Sequence, residues 1–150
     1  FNIKNKFSEK DLKEFSILFL IMNNLSIFKK KVELIAEINF SNDLLSELKK
    51  KIVEYILSEK LSGIDVLNPL DFDKKYADII NLVNTNAPVK IISKNKSKEE
   101  INLIFNEIFK EIGKIDLQSK IDSLESKVSL NLDEKLYSEL LNLRNQLKSG

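Results

Sequence analysis

The sequence predicts an all-α fold, in which a multi-helix bundle is joined by a long helix to an antiparallel helical hairpin at the C-terminus. Three observations lead to this prediction. Apolar residues recur every three or four positions over most of the chain, which is the spacing of one helix face. The 150 residues include only three glycines and two prolines, which suits helices with short connections. The apolar stripe also changes face once, near the C-terminus, and this change divides the chain into two parts.

The change of face lies within one long helical stretch. Its first apolar stripe consists of Ile101, Phe105, Ile108, Ile112 and Ile115. The residues that would continue this rhythm, Ser119 and Asp122, are polar. A second stripe begins instead at Leu117, two positions after the first stripe ends, and two positions correspond to about 200° around a helix axis. We therefore expect residues 1–115 to form a bundle subdomain and residues 116–150 to form a separate hairpin subdomain.

The last helix carries an apolar stripe that matches the second half of the long helix in number and spacing. Two such helices with a short connection form an antiparallel hairpin, in which the two stripes meet along one seam. The predicted seam residues are Leu117, Ile121, Leu124, Val128, Leu136, Leu140, Leu143 and Leu147. Isolated helices of about 15 residues are marginal in water, so we expect this hairpin to gain stability by docking against a partner.

A second stripe on the last helix supplies the candidate partner contacts. Its members are Tyr137, Leu141, Arg144 and Lys148. Their i, i+4, i+7 spacing places them on one helix face. A tyrosine, a leucine and the only arginine of the chain together resemble the anchor residues of protein interfaces. The alternative is that Tyr137 and Leu141 widen the seam or pack on the bundle, while Arg144 is solvated.

Capping residues predict several helix boundaries. Ser8–Asp11 and Ser97–Glu100 have the form of capping boxes that open the first helix and the long helix. Ser41 is expected to be the N-cap of a helix that ends at Ser62-Gly63. Asn131–Glu134 is expected to be a further capping box, which opens the last helix.

The remaining boundaries follow from apolar spacing and from proline. One helix is expected over Ser26–Ile38. Pro69 suits the first turn of another helical piece, which a short amphipathic helix follows. We expect a break over residues 84–88, and residues 89–93 are compatible with either a helical turn or a short strand.

Composition argues against several classes of chemistry. The chain contains no cysteine and no histidine, which removes disulfides, thiol nucleophiles, the usual zinc sites and imidazole acid–base catalysis. Lysine and arginine number 24 against 23 acidic residues, so no overall charge favours nucleic acid or a membrane surface. We expect a soluble domain of the intracellular type. Because the first residue is Phe1 and not methionine, we also expect it to be a piece of a longer protein.

Two groups of charged residues have the composition of binding sites. Asp71, Asp73 and Asp78 suggest a cation site, but apolar residues and lysines are interleaved with them, which favours an exposed acidic helix start. The lysine triplets 29–31 and 49–51 could contact phosphates, but nearby acidic residues and the lack of interleaved aromatic residues favour a solvated face. We expect no catalytic residue, no metal ion and no cofactor.

Four segments, taken in order, resemble parts of a known family. Leu130–Tyr137 (LNLDEKLY) and Glu139–Leu147 (ELLNLRNQL) have an acidic capped start followed by a leucine-rich helix. Glu14–Leu20 (EFSILFL) is acidic and then apolar, and Phe40–Leu45 (FSNDLL) has the form of a helix start. These segments resemble the C-terminal helicase-binding domain of bacterial replicative primases of the DnaG type. The resemblance extends over almost the whole chain, in the order of that family.

The resemblance implies a fold and a function. In that family a helical bundle is joined by a long helix to a helical hairpin, which docks on the N-terminal collar of the hexameric replicative DNA helicase. The expected function is therefore non-catalytic: the domain recruits primer synthesis to the replication fork, in the cytoplasm at the nucleoid, and modulates the helicase. No membrane and no strong direct contact with nucleic acid are expected. An exposed hairpin could also exchange between copies and give a domain-swapped dimer in crystals.

Two other functions stay open at this point. The N-terminal collar domain of the helicase itself has a related bundle and hairpin, and a phosphate-binding loop further along the parent chain would identify it. A weak nucleic-acid-binding helical domain would bind with an affinity that falls steeply with salt. An enzyme has the least support, because no constellation of acid, base and nucleophile is apparent.

Overall fold

The computed structural model describes residues 7–58, 64–130 and 134–149, and every regular element in these ranges is helical. The α-helices are α1 (Glu9–Asn23), α2 (Leu25–Phe28), α3 (Val32–Glu37), α4 (Asp43–Leu57), α5 (Lys74–Asn86), α6 (Val89–Ile92), α7 (Lys98–Leu130) and α8 (Glu134–Ser149). The predicted all-α class is confirmed for this part of the chain. None of the helices described is both long and apolar enough to cross a membrane.

The chain divides into two compact units, and the division falls between Ile108 and Phe109. This position lies inside α7, as does the boundary at residues 115 and 116 that the change of face predicts. We call residues up to Ile108 the N-terminal unit and residues from Phe109 the C-terminal unit.

Helix α1 is the centre of the N-terminal unit. Its buried residues are Glu14, Phe15, Ser16, Ile17, Leu18, Leu20, Ile21 and Met22. A helix that is buried on nearly all sides needs neighbours on several sides, and α1 contacts α2, α5 and α6. Phe28 at the end of α2 packs on Phe105 of α7, with 4.8 Å between the ring centroids. The first stripe of α7 therefore contributes to this core through Ile101 and Phe105, which are both buried.

Both capping boxes predicted in the described residues are confirmed. The Asp11 backbone N–H donates to Ser8 Oγ at 3.0 Å, and the Ser8 backbone N–H donates to Asp11 Oδ2 at 3.1 Å. The Glu100 backbone N–H donates to Ser97 Oγ at 3.2 Å, and the Ser97 backbone N–H donates to Glu100 Oε1 at 3.3 Å. The hydrogen bond that the Ser97 backbone N–H donates to its carboxylate is the main reason why the pKa of Glu100 lies below its ordinary value.

The predicted N-cap of α4 is wrong by one residue. The Asn42 side chain caps this helix, because its Oδ1 accepts the Leu44 backbone N–H at 2.8 Å. Ser41 is engaged elsewhere: its backbone N–H and its hydroxyl both donate to the carboxylate of Glu14 on α1, at 2.9 and 2.6 Å. Helix α4 ends at Leu57, before the predicted end at Ser62-Gly63, and those two residues lie outside the described part of the chain. The predicted capping box at Asn131–Glu134 also involves positions outside the described residues.

The predicted helix over Ser26–Ile38 is interrupted. A 3₁₀ turn at Lys29–Lys31 separates α2 from α3, and Phe28 and Ile35 on either side of it are buried. Pro69 begins a 3₁₀ turn, which agrees with its predicted place in the first turn of a helical piece. The predicted break over residues 84–88 is shorter, since α5 continues to Asn86.

Residues 89–93 adopt the helical alternative. The short helix α6 covers Val89–Ile92, and the Ser93 backbone N–H donates to the carbonyl of Val89 at 2.8 Å.

Two buried charged side chains hold the connection between α3 and α4. Lys49 of α4 is only 7% exposed, and its Nζ donates to the carbonyls of Ala36 and Ile38, both at 2.8 Å. Burial lowers the pKa of Lys49. Glu14 is 1% exposed and binds Ser41, and burial raises the pKa of Glu14 despite the two donors. The expectation that the lysines at 49–51 form a solvated face is therefore wrong for Lys49.

Candidate protein-interaction surface

The C-terminal unit is built around one small hydrophobic cluster that α7 and α8 share. Three of its residues, Ile121, Leu124 and Leu140, are buried. Five partly buried residues pack against them: Leu117, Val128, Leu136, Leu143 and Leu147. The structure thus brings together all eight residues of the predicted seam. They meet because each helix carries its apolar residues at alternating spacings of three and four, which keeps them on one face.

This core is thin for an independent body. Burying a leucine or isoleucine side chain fully contributes about 1.5–3 kcal/mol, and only three members of the cluster approach full burial, at 2%, 8% and 2% exposure. The C-terminal unit therefore gains little stabilisation from its own apolar core, and additional apolar burial would stabilise it.

An ion pair links the two helices beside the cluster. The Nη2 of Arg144 on α8 donates to Oε1 of Glu125 on α7. Each residue follows a member of the cluster directly, Leu143 or Leu124, so each lies about 100° from the seam on its own helix. The predicted contact residue Arg144 is thus engaged within the unit. Both side chains stay 42–45% exposed, so the pair is worth at most about 1 kcal/mol.

The other predicted contact residues are accessible. Tyr137 is 51% exposed and Leu141 is 42% exposed, and neither belongs to the hydrophobic cluster. Lys148 is exposed as well. Since these three share the face of α8 that carries Arg144, a half-exposed apolar strip runs beside the ion pair. We call Tyr137, Leu141, Arg144 and Lys148, with Glu125, the candidate surface.

Two residues relevant to this surface were not singled out from the sequence. Glu125 could have been found, because it follows the seam residue Leu124 in the same way as Arg144 follows Leu143. Leu130, at the end of α7, is 84% exposed. Leu130 lies two positions after Val128, which places it about 200° around the helix from the seam. Its exposure could therefore have been predicted from the spacing of the seam residues.

The candidate surface includes none of the charged groups that the sequence suggested as a cation site or a phosphate site. Asp71 ends the 3₁₀ turn and accepts the Tyr55 hydroxyl at 3.1 Å, while Asp73 is the N-cap residue of α5 and Asp78 lies within that helix. Among the residues described, no group of three or more acidic side chains is arranged to hold a metal ion. In the other lysine triplet, Lys31 places its ammonium 5.8 Å from the centroid of the Phe105 ring.

Comparison with known proteins does not assign this surface. No protein-family model, no curated protein and no solved structure matches the chain significantly.

Proposed function

We propose that this chain is a non-catalytic protein-interaction domain, namely the helicase-binding domain of a bacterial replicative primase of the DnaG type. In this proposal the C-terminal unit docks on the N-terminal collar of the hexameric replicative DNA helicase. The domain thereby recruits primer synthesis to the replication fork and modulates the helicase.

The observation that carries the proposal is the combination of a thin core with an exposed apolar strip. Three well-buried residues leave the C-terminal unit with little stabilisation from its own packing. Tyr137 and Leu141 keep about half of their surface accessible directly beside that core. Interface anchors are often tyrosine and arginine, placed where docking removes them from water. A partner that covers this strip would extend the core of the unit.

The register of the cluster supports an antiparallel hairpin. The positions of its members in the sequence are symmetric about position 132, so an antiparallel arrangement would place Val128 opposite Leu136 and Leu124 opposite Leu140. In an antiparallel pair of helices, residues that follow the seam by one position on either helix lie on the same side. The ion pair between Glu125 and Arg144 has this arrangement.

The register also assigns roles within the candidate surface. Tyr137 and Leu141 supply the apolar contact area, and the exposed Lys148 adds a positive charge at its rim. Arg144 acts as a positioning residue, since its ion pair with Glu125 keeps α7 and α8 aligned beside the strip.

Size-exclusion chromatography with light scattering tests the proposal. The chain is mixed at micromolar concentration with the replicative helicase encoded by the same genome. We expect co-elution at the mass of a hexamer with one to several copies bound. Separate elution under these conditions would refute the helicase as partner, and salt-sensitive binding to nucleic acid alone would point to a different function.

A matched pair of variants places the contact on α8. Leu141→Asp introduces a charge into the exposed strip and should abolish co-elution. Asn142→Asp introduces the same charge at the next position, about 100° around the helix, on a residue that is also exposed. It should leave co-elution unchanged. Equal binding by the two variants, with helicity retained in both, would remove this strip from the interface.

A further inference from the structure

The N-terminal unit contains a cavity that the proposed function does not use. It has a volume of about 490 Å³ and lies between the end of α4, the 3₁₀ turn at Pro69–Asp71 and the start of α5. This volume is in the range of sites that bind small ligands or side chains of a partner. The cavity residues that matter for its chemistry are Tyr55, Phe72, Tyr76, Glu54, Asp71 and Asp73.

Three half-buried aromatic rings line the cavity. Tyr55 and Phe72 are 5.5 Å apart between ring centroids, with 39° between their planes. The Tyr76 ring already attracts cations of the chain itself, because the Nζ atoms of Lys51 and Lys75 lie 5.8 and 5.5 Å from its centroid. Aromatic faces attract cations through the quadrupole of the ring. The walls of this cavity therefore favour a positively charged guest over an anion.

The charges of the cavity point to the same guest. Three carboxylates line it, those of Glu54, Asp71 and Asp73. The two ammonium groups beside Tyr76 each have a carboxylate partner, since Lys51 pairs with Glu54 at 3.6 Å and Lys75 pairs with Glu47 at 2.7 Å. Asp71 accepts one hydrogen bond, from the Tyr55 hydroxyl at 3.1 Å, and a carboxylate can accept several. Asp73 makes no side-chain capping bond to α5. Two carboxylates are thus available beside the aromatic rings.

A guanidinium group matches this combination better than an ammonium group. It is planar, so it stacks on an aromatic ring, and its fork of donors reaches carboxylates at the same time. The cavity is larger than one such group requires, and Ile64 at its wall is 40% exposed. An apolar residue next to the guanidinium would find a contact there.

We propose that this cavity binds the guanidinium group of an arginine from a peptide segment of a partner protein, stacked on Phe72 and bonded to Asp71 and Asp73. The proposal concerns the N-terminal unit alone. It holds or fails independently of the helicase-binding proposal, whose test depends on α8.

Two small probes of nearly identical shape provide the test. N-acetyl-arginine amide and N-acetyl-citrulline amide differ in that the citrulline side chain is uncharged. Each is titrated into the full chain while amide resonances are followed by ¹H–¹⁵N correlation NMR. We expect the arginine probe to shift resonances around Tyr55, Phe72 and Tyr76 in a saturable way. The citrulline probe should bind about tenfold more weakly, because it lacks the cation–π and charge terms.

Variants in and next to the cavity complete the test. Asp73→Asn should weaken binding of the arginine probe several-fold. Asp78→Asn removes an equal charge within α5, outside the cavity lining, and should not weaken binding. Phe72→Leu, checked for retained helicity by circular dichroism, should also weaken binding. Equal affinity for the two probes would overturn the proposal, as would shifts confined to residues outside the cavity or equal effects of the two Asp→Asn variants.

Discussion

The seam of the C-terminal unit predicts a sharp difference between two adjacent leucines of α8. Leu140 is 2% exposed within the hydrophobic cluster, whereas Leu141 is 42% exposed and lies outside it. Truncation of a buried leucine to alanine costs about 2–5 kcal/mol, through lost burial and the cavity left behind. Leu140→Ala should fall in this range, since Ile121 and Leu124 would lose their buried neighbour on α8. Leu141→Ala should cost about 0.5 kcal/mol or less, as at other surface positions.

Hydrogen exchange measured by mass spectrometry reports this difference by segment. A loss of 2 kcal/mol corresponds to about thirtyfold faster exchange, when exchange follows local opening. Leu140→Ala should therefore accelerate exchange in residues 117–130 and 134–149, and leave α1 in the N-terminal unit nearly unchanged. Leu141→Ala should alter neither segment measurably. Similar acceleration by both variants would refute the register of the seam, and equal acceleration in α1 would refute its independence from the N-terminal core.

Three further predictions concern charged groups. Arg144→Glu should lower the free energy of unfolding of the C-terminal unit, measured by thermal unfolding, by about 1 kcal/mol or less. Adding Glu125→Arg should restore the stability. A double variant that is less stable than the single variant would contradict the ion pair. Lys49→Ala should lower the free energy of unfolding in urea by at least about 1–3 kcal/mol, because two buried carbonyls lose their donor. The control variant Lys50→Ala, at an exposed position, should change it little. Burial raises the pKa of Glu14 above its ordinary value of 4.5, so the folded state binds this proton more tightly than the unfolded state. The contribution of Glu14 to stability is then greatest below pH 4.5 and is lost as the pH rises through the raised pKa. Glu14→Gln should flatten the dependence of the free energy of unfolding on pH in this range. An unchanged slope would show that Glu14 does not cause this dependence.

Most of the helical architecture could be predicted from patterns of residues that are close together in the sequence. The seam could be listed residue by residue, because spacings of three and four place its members on one face of each helix whatever surrounds them. The capping boxes at Ser8 and Ser97 were equally accessible, since each joins groups only three positions apart. Such features depend only on residues that are close together in the sequence.

Interactions between distant residues could not be foreseen in this way. Asn42 caps α4 instead of Ser41, because both donors of Ser41 bind the carboxylate of Glu14, which lies 27 positions earlier. Lys49 stands in a run of three lysines, and only the position of the Ala36 and Ile38 carbonyls distinguishes it from its neighbours. The pairing of Arg144 with Glu125 likewise requires the register of two helices.

The irregular connection between α3 and α4 has a consequence for protease resistance. Ile38 and Phe40 are buried, Lys49 holds the carbonyl of Ile38, and Glu14 holds the N–H of Ser41. A protease must draw an extended stretch of several residues into its cleft, and anchored backbone cannot be drawn out without first breaking these bonds. Lack of helical structure therefore does not make this connection a cleavage site, and its susceptibility to digestion should follow the stability of the entire N-terminal unit.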